Sequence, residues 1–173
     1  MKFFSGFSLK DDISFFDAFI LKSDFTVSGF SYGAIKAFVF AQNELNAGRR
    51  VDRLQLFSPA FFQTKSEKFK RLQLLAYTKN MQEYTKQFLD GCFNPYVKKN
   101  VNVQSSTKEE LNELLYYEWS KEALKELSLR GVVIEVYLGG RDAIIDVNAA
   151  REFFLDVATV TYIKDGNHFL LIS

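Results

Sequence analysis

The chain has 173 residues, 47% of them hydrophobic and 25% charged, with two prolines and nine glycines, which suits one domain with a substantial core and excludes collagen-like, mucin-like and disordered classes. Twenty-two lysines and arginines against 21 aspartates and glutamates leave a net charge of +1, so nothing in the charge balance supports general nucleic-acid binding. The single cysteine, Cys92, rules out an internal disulfide and a multi-thiolate zinc site and fits a reducing compartment.

The opening Met1-Lys2-Phe3-Phe4-Ser5-Gly6-Phe7 has the charge and apolar residues of a signal peptide. Its apolar stretch is short, is broken by Ser5 and Gly6, and runs into Lys10-Asp11-Asp12 without a small-residue cleavage site. It reads instead as a first buried strand, Lys2 to Ser5. With no apolar run of about 18 residues anywhere, a membrane span is not expected and a cytoplasmic location is.

Asp11 to Lys22 reads as a helix with Ile13, Phe16, Ala18, Phe19 and Ile20 inward. Phe25 to Ser28 follows as a strand, then a sharp turn and a helix from Gly33, carrying Ala34, Ile35, Ala37, Phe38 and Ala41 at helical spacing to Asn46-Ala47-Gly48. Leu54 to Phe57 is a strand stopped at Ser58-Pro59. From about 61 to 130 no strand is evident, and the segment reads as a helical insertion, expected to form a lid or to cover one sheet face. Its apolar stripes are Phe69, Leu72, Leu75 and Ala76, then Met81, Tyr84 and Phe88, then Leu111, Leu114 and Leu115, the last opened by a capping box of Thr107 with Glu110. Val132 to Leu138 is a nearly continuous apolar strand, followed by a helix Val147 to Leu155 and a strand Thr159 to Ile163. Strands alternating with helices at this spacing predict one α/β domain over residues 1–173, with about five mainly parallel strands and flanking helices.

Gly29-Phe30-Ser31-Tyr32-Gly33 matches G-x-S-x-G and lies between a predicted strand and a predicted helix, where a nucleophile elbow belongs. The small residues flanking Ser31 let strand and helix backbones approach around a strained turn. A serine needs a base, and the one histidine, His168, follows the last strand. Asp142, just after Gly139-Gly140, supplies a carboxylate between them in sequence, so that Ser31, Asp142 and His168 stand in the chain order that α/β-hydrolases use. Asp146 is the fallback acid and Asp165 a weaker one; either is equally readable as a helix cap or a solvated turn. The backbone N–H groups of Tyr32, after the nucleophile, and of Phe7, in the loop after the first strand, are the expected oxyanion donors.

Phe3-Phe4-Ser5-Gly6-Phe7, Val27 to Ala37, Leu56-Phe57-Ser58-Pro59 and Phe69 to Leu74, continued by Ile134-Glu135-Val136, Asp142 and Lys164 to His168, together resemble the short BioV-type pimeloyl-acyl-carrier-protein methyl ester esterases of biotin synthesis. The resemblance implies an abbreviated α/β-hydrolase, lacking an edge strand and its helix, with Ser31, Asp142 and His168 as the triad and no metal or cofactor. It also implies an acyl carrier protein as partner. Carrier proteins are acidic, and from 61 to 104 eight lysines and arginines face three acids, with Lys65, Lys68, Lys70 and Arg71 as the expected docking row. Two other readings stand beside this one: a general carboxylesterase or thioesterase acting on small esters, and a non-catalytic interaction domain on the same fold.

Overall fold

The computed structural model describes all 173 residues. Strand β1 (Lys2–Phe4) leads through a short strand β2 (Leu9–Lys10) and a 3-10 helix (Asp12–Phe16) to β3 (Thr26–Phe30) and helix α1 (Tyr32–Asn46). After β4 (Arg53–Phe57) the chain forms helices α2 (Glu67–Lys79) and α3 (Met81–Phe93), strand β5 (Asn102–Val103), and helices α4 (Lys108–Tyr116) and α5 (Lys121–Leu129). It closes with β6 (Val133–Gly139), α6 (Val147–Leu155) and β7 (Thr159–Ile163). One sheet of order β1-β3-β4-β6-β7 is parallel throughout, and β2 pairs antiparallel with β5 apart from it.

The period-2 geometry of the strands sorts their residues onto two faces. Val27, Leu54, Leu56, Ile134, Val136 and Leu138 join α1, α5 and α6 in the larger core. The opposite face carries Phe30 and Phe57, covered by Phe16 and Phe169. Phe16 stacks on Phe57 with centroids 4.7 Å apart, and Phe169 lies 4.5 Å from Phe93 and 4.8 Å from Phe30. Each such ring contributes about 1.5–3 kcal/mol by burial. The same face buries Gln55, whose Nε2 donates to Phe19 O at 3.0 Å and Glu135 Oε2 at 2.9 Å while its Oε1 accepts the Leu21 N–H. That amide ties the segment before β3 to the middle of the sheet without leaving a buried polar group unpaired.

Most expected elements are present. The Thr107–Glu110 capping box is formed in both directions, and α6 and β7 have the expected bounds. The expected helix 11–22 is replaced by one 3-10 stretch and turns, with Ala18 exposed, because Phe16 must reach Phe57 while Leu21 bonds to Gln55. The stripe expected on α2 is also displaced: Leu72 and Leu75 are exposed, and the helix turns Phe69, Leu74 and Tyr77 inward.

The turn from β3 into α1 fixes the spacing of strand and helix. A Cβ built on Gly33 would lie 2.0 Å from the Phe4 carbonyl oxygen, and one on Gly29 would lie 2.1 Å from the Gly33 oxygen. Both obstacles are backbone, so no side-chain adjustment relieves them. Gly33→Ala is therefore expected to lower stability by about 3 kcal/mol or more, or to prevent folding. Urea denaturation checks this, and an unchanged midpoint would contradict it.

Candidate active site

The carboxyl ends of the parallel strands carry the residues that the sequence singles out, as is usual for sites on such sheets. Ser31 directly follows β3 with φ 53° and ψ −115°, a conformation costly for a side-chain-bearing residue. Its N–H donates to Phe57 O at 2.9 Å, and its carbonyl accepts the N–H groups of Ala34 at 3.0 Å and Ala60 at 3.1 Å. These three bonds hold the strained turn and stand Ser31 at the head of α1.

His168 Nε2 lies 2.9 Å from Ser31 Oγ, and its Nδ1 lies 2.6 Å from Asp142 Oδ2. The remaining oxygen of Asp142, Oδ1, accepts the N–H groups of Ile144 at 2.7 Å and Ile145 at 3.3 Å, which fixes the carboxylate's orientation. The side chains of His168 and Asp142 are fully buried and Ser31 is nearly so. The Phe30 ring packs 5.0 Å from the imidazole. A serine hydroxyl, an imidazole and a carboxylate in this sequence of contacts can move a proton off the serine as it attacks an electrophile, with the carboxylate holding the imidazole in one tautomer.

The loops that bring acid and base together are joined to each other. Gly140 N–H donates to Ile163 O and Arg141 N–H to Gly166 O, each at 2.8 Å. A Cβ on Gly139 would lie 2.2 Å from Asn167 O, so this close approach requires glycine. Asn167, wholly buried, donates to Phe93 O at 2.9 Å and accepts the N–H groups of Phe169 and Leu171 at 3.0 and 3.1 Å. It anchors the turn that presents His168. No periodicity or motif in the sequence marks Asn167 as an anchor, although an asparagine between Gly166 and His168 is the residue type that bonds nearby backbone.

The alternative acids lie elsewhere. Asp146 caps α6, accepting the Ala149 N–H at 3.1 Å, and Asp165 pairs with Arg141 at 3.0 Å on the surface. Cys92 is buried beside the site, and burial followed by the nearby Asp142 carboxylate pushes its thiol well above the ordinary range, away from nucleophilic use.

Phe7 and Tyr32 are neighbours, with ring centroids 6.5 Å apart. Tyr32 is the first residue of α1, where N–H groups lack an intrahelical acceptor, and Phe7 N–H makes no backbone hydrogen bond. The Tyr32 hydroxyl donates to Glu113 Oε2 on α4 at 2.5 Å. Burial and that carboxylate hold the phenol far above its usual range, so Tyr32 remains a donor. A cavity of about 270 Å³ between the helices is walled by Phe62, Phe69, Phe88, Leu111 and Leu115 and reaches Ala143 and Ile144, next to Asp142; Ser31, His168, Phe7 and Tyr32 do not line it.

The expected basic row divides, with Lys65 lying ahead of α2. Lys68 and Arg71 are exposed, Arg71 pairing with Glu67 at 3.1 Å, and Lys65 is half-buried. Lys70 is buried, its Nζ 4.9 Å from the Tyr116 ring centroid, and does not belong to an exposed row. Its alkyl stem lies inward on the helix face that also carries Phe69 and Tyr77.

No protein-family model and no curated sequence matches the chain. Solved structures do. The esterase EaEST from Exiguobacterium antarcticum superimposes with a TM-score of 0.61 at 13% identity, over 83% of this chain and 59% of its own. Carboxylesterase CesB (YbfK) from Bacillus subtilis gives 0.58 at 15% identity, over 95% of this chain and 62% of its own. BioG from Haemophilus influenzae gives 0.55 at 12% identity, over 97% of this chain and 87% of its own. The chain thus spans less than two thirds of the two esterases and most of BioG. The fold is that of an abbreviated α/β-hydrolase.

Asn167→Ala strips three backbone groups of their partner and is expected to lower stability by about 2–3 kcal/mol, whereas Asp165→Ala, which removes an exposed ion pair, should stay within about 0.5 kcal/mol. Thermal and urea unfolding of the two variants test the contrast, and equal losses would contradict it.

Proposed function

We propose that the protein is a serine carboxylesterase that removes the methyl group from a pimeloyl chain carried on an acyl carrier protein. The observation that carries the hydrolase reading is the unbroken relay from Ser31 through His168 to Asp142, at 2.9 and 2.6 Å. In this reading Ser31 Oγ attacks the ester carbonyl as His168 Nε2 takes its proton. The carbonyl oxygen becomes an oxyanion between the N–H groups of Phe7 and Tyr32. Collapse breaks the bond to the methoxy oxygen, which leaves as methanol with the proton from His168. Water then gives His168 Nε2 a proton while its oxygen attacks the acyl-enzyme, and collapse breaks the bond to Ser31 Oγ, which takes that proton back from His168 as the acid leaves.

The finer substrate assignment rests on the BioV-type resemblance in sequence; the mainly apolar cavity, which comes to the Asp142 loop at Ala143 and Ile144, is where the chain would lie. Its 270 Å³ lies near the lower bound of ligand pockets, a size suited to a short methylene chain. In this reading α2 to α4 act as the lid that encloses the chain. Lys68 and Arg71, flanking the exposed Leu72 and Leu75 on α2, would face the acidic carrier. A general carboxylesterase on small esters is the second reading, favoured by solved neighbours described as esterases.

Mass spectrometry of methyl-pimeloyl carrier protein after incubation is expected to show loss of the methyl group with the thioester intact. Release of the whole acyl chain, or no change, would remove the substrate assignment and leave the second reading. Asp142→Asn, which strands His168 in the wrong tautomer, is expected to lower kcat by about 10⁴-fold. The paired charge reversals Lys68→Glu and Arg71→Glu should raise KM for the carrier-bound ester about tenfold with little change in kcat. An unchanged KM would remove the docking assignment.

A further inference from the structure

Asp12 is a group that the proposed mechanism leaves unused. It is 1% exposed, on the first residue of the 3-10 helix. Its Oδ2 accepts the Gly6 N–H at 3.0 Å, and its Oδ1 is buried with no hydrogen-bond partner. Burying a carboxyl with one oxygen unpaired is unfavourable, and desolvation raises its pKa. The bond holds the Ser5–Gly6 peptide plane, which adjoins the Gly6–Phe7 plane that carries the Phe7 N–H.

The geometry of the turn gives that fixation a consequence. Leu9 N–H donates to Gly6 O at 3.1 Å, and Ser8 has φ 58°, so residues 6–9 form a tight turn with Phe7 in its first central position. In a trans peptide the C=O and the following N–H point in opposite directions. Drawing Gly6 O towards Leu9 therefore aims Phe7 N–H the other way. The turn also lies flat on the residue before the nucleophile: a Cβ on Gly6 would come 2.8 Å from the Phe30 ring. From outside, Gln104 N–H donates to Ser8 O at 3.0 Å and Ser8 Oγ donates to Ser106 Oγ at 2.6 Å. Asp12 is the inner support of this turn.

We infer that Asp12 is a positioning residue for the oxyanion site, holding the Ser5–Gly6 peptide at the entry to the turn so that the next peptide, Gly6–Phe7, closed by the Leu9 bond, turns the Phe7 N–H to the oxygen of the ester bound at Ser31. The inference rests on the serine-hydrolase reading. It concerns the aim of a donor whose work begins in the transition state, so its loss lowers kcat rather than raising KM. The acceptor oxygen is what matters, and asparagine supplies one in the same place without charge.

The test uses the full chain with p-nitrophenyl butyrate as substrate and compares Asp12→Ala, Asp12→Ser and Asp12→Asn, with thermal melts of each. Alanine and the one-bond-shorter serine are expected to lower kcat about 10- to 100-fold, with KM within about threefold, while asparagine keeps kcat within about threefold of the parent. Folded alanine or serine variants with parental kcat would overturn the inference, as would a loss confined to KM. If both truncations fail to fold, the asparagine variant decides: a folded Asp12→Asn that loses as much as about tenfold in kcat overturns the acceptor role. A parent protein that neither turns over the ester nor takes a fluorophosphonate on Ser31 overturns the hydrolase reading and this inference with it. An active parent with indifferent Asp12 variants overturns this inference alone.

Discussion

Everything at the site depends on how closely the backbone of α1 approaches the ends of β1 and β3. The Gly33 position lies against the Phe4 carbonyl, and the Gly29 position lies against Gly33, so the strand that carries Ser31 and the strand that leads to Phe7 are held at backbone contact distance. No larger residue fits either place. That contact sets Ser31 into its strained conformation, puts the first N–H of α1 beside it, and brings the loop of residues 5–8 alongside. Strain of this kind persists when surrounding bonds over-determine it, and the bonds from Ser31 to Phe57, Ala34 and Ala60 do so.

Around that turn the chain builds supports for each group in turn. His168 is aimed by Asp142 and by the Asn167 anchor, and Asp142 is aimed by two backbone N–H groups of its own loop. The helical segment between β4 and β6 is tied to the same place at two points. Tyr32 bonds to Glu113 on α4, and the loop before α4 bonds to Ser8 and pairs through β5 with β2. A movement of these helices would therefore act on the residue after the nucleophile and on the Phe7 loop together. If these helices close over a substrate as proposed, that closure and the alignment of the two N–H groups would be coupled.

Much of this was legible from the sequence because the pertinent signals are local. A strand, G-x-S-x-G and a helix in succession identify the turn at Ser31, and a lone histidine after the last strand leaves one choice of base. Asp142 and Asp146 were separable only in space: one reaches His168 and the other caps α6. The rest was lost where tertiary contacts override periodicity. Two apolar faces competed on α2, and the one bearing Phe69 and Tyr77 went inward with the stem of Lys70, leaving Leu72 and Leu75 outside. The helix expected at 11–22 gave way to the demands of Phe16 and Gln55. Two-residue strands such as β2 and β5 carry no period to read, and Asp12 shows no local sign that its partner is the Gly6 N–H.

Ser31, His168 and the N–H groups of Phe7 and Tyr32 are proposed to act as one catalytic constellation. The most direct measurement is a crystal structure of the protein after reaction with a small alkyl fluorophosphonate. Phosphorus is expected on Ser31 Oγ, with the phosphoryl oxygen about 3 Å from both backbone nitrogens. A label on another residue, or a phosphoryl oxygen turned away from Phe7 and Tyr32, would contradict it.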